Sequence, residues 1–163
     1  MSKAIRLLLV DDETKFLHTL AKRLEMRGFE VHQAENGRLA IEAARQNRFD
    51  LALLDLKMSG MWGDEVLKIL KKEQKDLEIV ILTGHGSQGF AEECARLGAF
   101  RYLPKPFELE ELLLVFKDAY KTRLKKKYAL DSHRIERIEQ LDDSSPPMDI
   151  LQSLHEIESH DEA

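Results

Sequence analysis

Residues 5–13 read Ile5-Arg6-Leu7-Leu8-Leu9-Val10-Asp11-Asp12-Glu13, a short apolar run that ends abruptly on three acids. Four further runs share its length and character: Glu30–Ala34, Phe49–Leu54, Ile79–Leu82 and Phe100–Leu103. The first, third and fourth are almost continuously apolar, as parallel strands covered on both faces must be. Between the runs the spacing changes to that of helices. Phe16, Leu17, Leu20 and Leu24 form one stripe, Val66, Leu67 and Leu70 another, and Phe90, Cys94 and Leu97 a third. Gly28 and Gly98 stand where a C′ residue would end the first and fourth helices. Asn36-Gly37 marks the turn after the second strand. Strand and helix alternating at this spacing make βαβ units with right-handed crossovers and a parallel sheet. The expected fold is an α/β (βα)5 domain whose fifth helix begins near Glu108.

Composition narrows the function classes. Of 163 residues, 43% are hydrophobic and 34% charged, which suits a soluble globular chain. No apolar run approaches the roughly 20 residues of a membrane span, and Met1-Ser2-Lys3-Ala4 has no secretory character. The single cysteine, Cys94, excludes an internal disulfide framework and a cysteine-rich zinc site, and fits a reducing cytoplasm. A net charge of −5 argues against wrapping nucleic acid.

Ligands of an open parallel sheet bind beyond the carboxyl ends of its strands. Those positions hold Asp11-Asp12-Glu13, Asp55, Thr83-Gly84 and Lys105-Pro106. Acids also cap helices and populate loops, so no single member decides anything. The set, drawn from four distant stretches, does. Two carboxylates about 4 Å apart repel by about 4 kcal/mol at an effective dielectric of 20. A hard divalent cation relieves that repulsion, and Mg²⁺ accepts one or two carboxylates with a carbonyl and waters. A carboxylate beside it can attack phosphorus and form an aspartyl phosphate. Lys105 and the Thr83 hydroxyl would meet the charge on the remaining phosphoryl oxygens.

The motifs LLLVDDE (7–13), LALLDLKMSGMWGDEVL (51–67), VILTGHG (80–86) and YLPKPF (102–107) together resemble the receiver domain of bacterial two-component response regulators, the CheY-like family, over residues 4 to about 122. The resemblance implies a doubly wound, flavodoxin-like sheet of order 2-1-3-4-5. It implies Asp55 as phosphoacceptor, with Asp11, Asp12, Asp55 and the carbonyl of Lys57 holding Mg²⁺. Thr83 would be the switch hydroxyl, Tyr102 the switch aromatic and Lys105 the phosphate-contacting lysine, before a peptide bond to Pro106 that the family usually keeps cis. The chain departs from the Met-Pro-Gly of many receivers with Met58-Ser59-Gly60, which frees that loop's backbone and removes no ligand. Trp62 reads as a large residue covering the loop.

By the same resemblance, phosphorylation would draw Thr83 inward, let Tyr102 turn, and repack the surface of helix 4, strand 5 and helix 5. Lys57 and His85, two residues beyond Asp55 and Thr83, are expected to tune phosphate lifetime. His18, His32, His133, His155 and His160 read as solvated, and Cys94 as core.

Residues 123–163 are expected to form a helical extension and acidic tail without a conventional output domain. Leu109, Leu112, Leu113, Phe116 and Tyr120 continue through Leu124, Tyr128, Ile135, Ile138 and Leu141, as if helix 5 ran far past the domain. Asp131 would interrupt a coiled-coil seam there, which leaves a homodimer possible. The cluster Lys121, Arg123, Lys125, Lys126 and Lys127 reads as a solvated face, with a contact for an acidic partner or for the acidic tail as the alternative. Residues 142–163 read as a disordered acidic tail, with a docking helix on Met148, Leu151 and Leu154 as the alternative. The expected partners are a histidine kinase or histidine phosphotransfer protein and a downstream protein target, without nucleic acid or membrane. The competing readings are a phosphorylation-independent scaffold and a magnesium phosphatase of the haloacid dehalogenase type. The phosphatase needs a second acid two residues after its nucleophile, where Asp55 is followed by Lys57.

Overall fold

The computed structural model describes residues 4–56, 63–84 and 88–159, with backbone only for residues 88, 90 and 91. Five strands form one parallel sheet: β1 (Arg6–Val10), β2 (Glu30–Ala34), β3 (Leu51–Asp55), β4 (Glu78–Thr83) and β5 (Arg101–Pro104). Their order is β2-β1-β3-β4-β5, the expected one. Alternate residues of the central strands face opposite layers. Leu7, Leu9, Leu51, Leu53, Val80 and Leu82 pack under α1 (Thr14–Glu25) and α5 (Leu109–Lys127). Leu8, Val10, Ala52, Leu54, Ile79 and Ile81 pack under α2 (Gly37–Gln46), α3 (Gly63–Glu73) and α4 (Gln88–Arg96). Each fully buried Leu, Ile or Val contributes about 1.5–3 kcal/mol of transfer free energy. That is why the two-sided strands read as unbroken apolar runs.

The helix ends obey their local signals. Gly28 (φ +102°) and Gly98 (φ +111°) adopt the left-handed conformation, and the amides of Phe29 and Ala99 return to the carbonyls of Leu24 and Cys94 at 3.2 and 3.0 Å. Asn36 caps α2, its side chain accepting from the Leu39 amide at 2.9 Å. Strand β3 starts two residues later than its apolar pattern implies. The Phe49 amide is taken by the side chain of buried Gln74, at 2.9 Å, instead of by a neighbouring strand.

The tail differs from its sequence reading. Helix α5 stops at Lys127, and Tyr128 leaves helical geometry (φ −113°, ψ 34°). Asp131 then caps α6 (Ser132–Glu139) by accepting from the Arg134 amide at 3.1 Å, so the residue that spoils a coiled-coil seam is a helix start. After a turn held by Asp142 and Ser144, α7 (Pro147–Ser159) forms, with proline at its first position. Ile150, Leu151, Leu154 and Ile157 bury themselves in the α1/α5 core together with Phe116, Tyr120, Leu124 and Ile138. The docking helix therefore replaces a disordered tail through residue 159. Residues 160–163, including His160, lie outside the described residues. No helix among the described residues is long and apolar enough to cross a membrane.

Candidate functional site at the carboxyl ends of the strands

The chain leaves β1 at Asp11, whose amide still bonds to Ala34 O at 3.1 Å, and the side chain turns back to accept from the Glu13 amide at 2.9 Å. Asp55 ends β3 in register with Leu82, and Thr83 ends β4. The amide of Lys105 bonds to Thr83 O at 2.8 Å, which brings the lysine alongside. The Lys105–Pro106 bond is cis, as expected. Gly63 opens α3 against the β3 terminus, where a Cβ would lie 2.8 Å from Leu56 Cα, so only glycine fits that approach.

Ligand oxygens of Asp11, Asp12 and Asp55 lie within 4.8 Å of one another. Asp11 and Asp55 are 2% and 6% exposed, so their mutual repulsion is poorly screened. The Lys105 ammonium offsets part of it, standing 3.0 Å from Asp11, 3.5 Å from Glu13 and 3.8 Å from Asp55. Burial alone would make Lys105 easier to deprotonate, but the bond to Asp11 and the charges of Asp55, Asp11 and Glu13 outweigh it and hold its pKa above the usual lysine value. Three anionic hard-oxygen donors against one cation are a donor set that fits a small divalent ion. The Lys105 ammonium beside the buried Asp55 carboxylate can also offset the negative charge of a phosphoryl group arriving there.

The response regulator receiver domain model matches residues 7–117. The chain belongs to that family. Among the relatives of this receiver, regulatory protein AtoC of Escherichia coli (strain K12) is 33% identical over 134 residues, 82% of this chain and 29% of AtoC. Sporulation initiation phosphotransferase F of Bacillus subtilis (strain 168) is 34% identical over 107 residues, 66% of this chain and 86% of that protein. A solved CheY-like receiver domain protein from Methanospirillum hungatei JF-1 superposes with a TM-score of 0.73 at 29% identity, over 76% of this chain and 99% of its own. The receiver thus spans less than a third of AtoC and most of the phosphotransferase.

The receiver fold brings Asp11, Asp12, Asp55 and Lys105 together, and Thr83 ends β4 where its carbonyl takes the Lys105 amide. Tyr102 stands apart on β5, 38% exposed. Lys57 and His85, and with them Met58-Ser59-Gly60 and Trp62, lie outside the described residues. Cys94 is buried core, while Leu97, read on the same stripe, is 36% exposed at the helix end. His18 is exposed, as expected, and meets Gln33. His155 is no solvated residue: it packs edge-on to Tyr120 with Nδ1 3.2 Å from the phenol oxygen. The basic cluster is only partly a solvated face. Arg123 is buried and meets Glu158 at 2.5 Å and Asp50 at 3.3 Å, and Lys127 meets Glu158 at 3.0 Å. Arg123 falls three residues after Tyr120 and one before Leu124, so the helical register of the apolar stripe signalled its burial.

Proposed function

We propose that this receiver accepts a phosphoryl group on Asp55 from a histidine kinase or a histidine phosphotransfer protein and signals by changing its own surface. An Asp55 carboxylate oxygen forms the new bond to phosphorus as the phosphorus–nitrogen bond of the donor breaks, and the donor imidazole leaves with the electron pair. Asp11, Asp12, Asp55 and the carbonyl of Lys57 would hold Mg²⁺, which would supply charge neutralisation between the carboxylates and the incoming phosphoryl oxygens. Lys105 pairs with one phosphoryl oxygen, and the Thr83 hydroxyl donates to another. Movement of Thr83 makes room for Tyr102 to turn, and the α4–β5–α5 face becomes the surface that a downstream protein reads. Lys57 and His85 tune attack by water on the phosphoaspartate.

The observation that carries this reading is the position of Asp55: a carboxylate 6% exposed, with Asp11 and Asp12 oxygens within 4.8 Å and Lys105 Nζ at 3.8 Å. The similarity to the Bacillus phosphotransferase supports a role in phosphoryl relay. Incubation with Mg²⁺ and acetyl phosphate tests it by intact mass. Wild type gains one phosphoryl group that hydroxylamine removes, and Asp55→Ala gains none. Equal labelling of the two proteins would refute the assignment.

A further inference from the structure

Among the described residues the Lys105 ammonium meets an aromatic ring as well as the carboxylates of Asp11, Glu13 and Asp55. The ring centroid of Phe16, the third residue of α1, lies 4.5 Å from Nζ. That ring is itself held: Phe107, two residues beyond Lys105, meets it edge-on with centroids 6.1 Å apart and planes at 90°. The ammonium therefore faces one aromatic ring from α1, and that ring is held by a second from the loop that carries Lys105. The same rings, with Leu20, Pro106 and Leu109, wall an apolar cavity of about 480 Å³ that reaches Lys105.

A ring face attracts a cation without taking any of its N–H donors. A carboxylate in the same place would consume one of the three. Glu13, whose side chain is 68% exposed, pulls the ammonium toward water at 3.5 Å, whereas the reacting groups sit among buried oxygens. The ring opposes that drift and leaves donors for Asp11, Asp55 and an arriving phosphoryl oxygen. We propose that Phe16 is a positioning residue for phosphoryl transfer: its ring face holds the Lys105 ammonium at Asp55, and Phe107 fixes the ring. This rests on Asp55 being the phosphoacceptor.

The test uses the full chain carrying Phe16→Leu or Phe16→Tyr. Without metal or phosphodonor, the ε-methylene protons of Lys105 are displaced upfield by ring current in wild type and Phe16→Tyr, and return to ordinary lysine values in Phe16→Leu. With Mg²⁺ and acetyl phosphate, Phe16→Leu phosphorylates roughly threefold to thirtyfold more slowly, the range expected for one cation–π contact, and Phe16→Tyr stays within about twofold of wild type. Phe107→Leu, which leaves Phe16 in place, slows the reaction in the same direction by less. A Phe16→Leu protein as fast as wild type overturns the proposal, as does an equal slowing in Phe16→Tyr. If the wild type stays unmodified while the ring-current displacement is present, the phosphoacceptor assignment itself has failed, and the proposal falls with it.

Discussion

Glu158 near the end of α7 is the place where the tail is tied to the receiver, and replacing it with Gln should loosen the whole protein. Its carboxylate is 6% exposed and accepts from Tyr120 Oη at 2.5 Å, Arg123 Nη1 at 2.5 Å and Lys127 Nζ at 3.0 Å. Removing one member of a buried ion pair costs about 3–5 kcal/mol, because the other charge stays buried and uncompensated. Arg123 keeps Asp50 at 3.3 Å, which places Glu158→Gln near the lower end, at about 3 kcal/mol. For a chain of this length that is a drop in melting temperature of roughly 6–12 °C. The acid limb of the stability curve separates charge from packing. Burial pushes the Glu158 carboxyl up, but Arg123, Tyr120 and Lys127 outweigh it and hold the group below its usual value of 4.5. Its contribution is therefore complete above about pH 4.5 and is lost as pH falls toward the lower folded value. Asp50 works in the opposite sense. Burial outweighs Arg123 and raises its carboxyl, so its contribution is present at low pH and is lost as pH rises through the raised value. Urea unfolding followed by circular dichroism from pH 7 down to pH 3 should show wild type losing stability below about pH 4.5 more steeply than Glu158→Gln. The double variant Arg123→Met, Glu158→Leu should recover most of the loss, since an apolar pair of similar volume commonly matches a buried ion pair. A single variant within about 1 kcal/mol of wild type at pH 7, or a double variant no better than the single, would refute the idea that a buried charge cluster secures α7.

Two further outcomes concern the site at the other end of the strands. Mg²⁺ at about one hundred times its dissociation constant should stabilise wild type by about 2.7 kcal/mol, read as a rise in melting temperature. Asp12→Asn should lose most of that rise, and an unchanged rise would remove Asp12 from the ligand set. Lys57→Ala and His85→Ala should alter the half-life of the phosphorylated form, measured by intact mass after the phosphodonor is removed. Half-lives equal to wild type in both would end their assignment as tuning residues.

Much of the receiver was legible in the chain because local rules and global fold agree there. Apolar runs buried on both faces declare parallel strands. Helical stripes between them leave one topology, and residues after a strand in such a sheet lie at its functional edge. Asp11, Asp12, Asp55, Thr83 and Lys105 were singled out by that logic, and the first three and the lysine lie together at that edge. The Phe16 ring against the Lys105 ammonium was not singled out, because Phe16 sits on the apolar stripe of α1 and nothing local distinguishes a ring facing the core from one facing an ammonium. The tail shows the limit most clearly. Tyr128, Ile135, Ile138 and Leu141 continue a helical period, and the choice between one long helix and a folded-back pair rests on Asp131 capping and on the apolar face of α5 to which α7 returns. Arg123 carries the same lesson. Its position in the register implied burial, but a buried guanidinium is tolerable only where acids arrive to meet it, and here they come from Asp50 before β3 and Glu158 at the end of α7, 73 residues before it and 35 after it in the sequence. Periodicity is a property of neighbours along the chain and can be read there. Charge pairing across the core depends on which distant segments the fold brings together, and that was decided only in three dimensions.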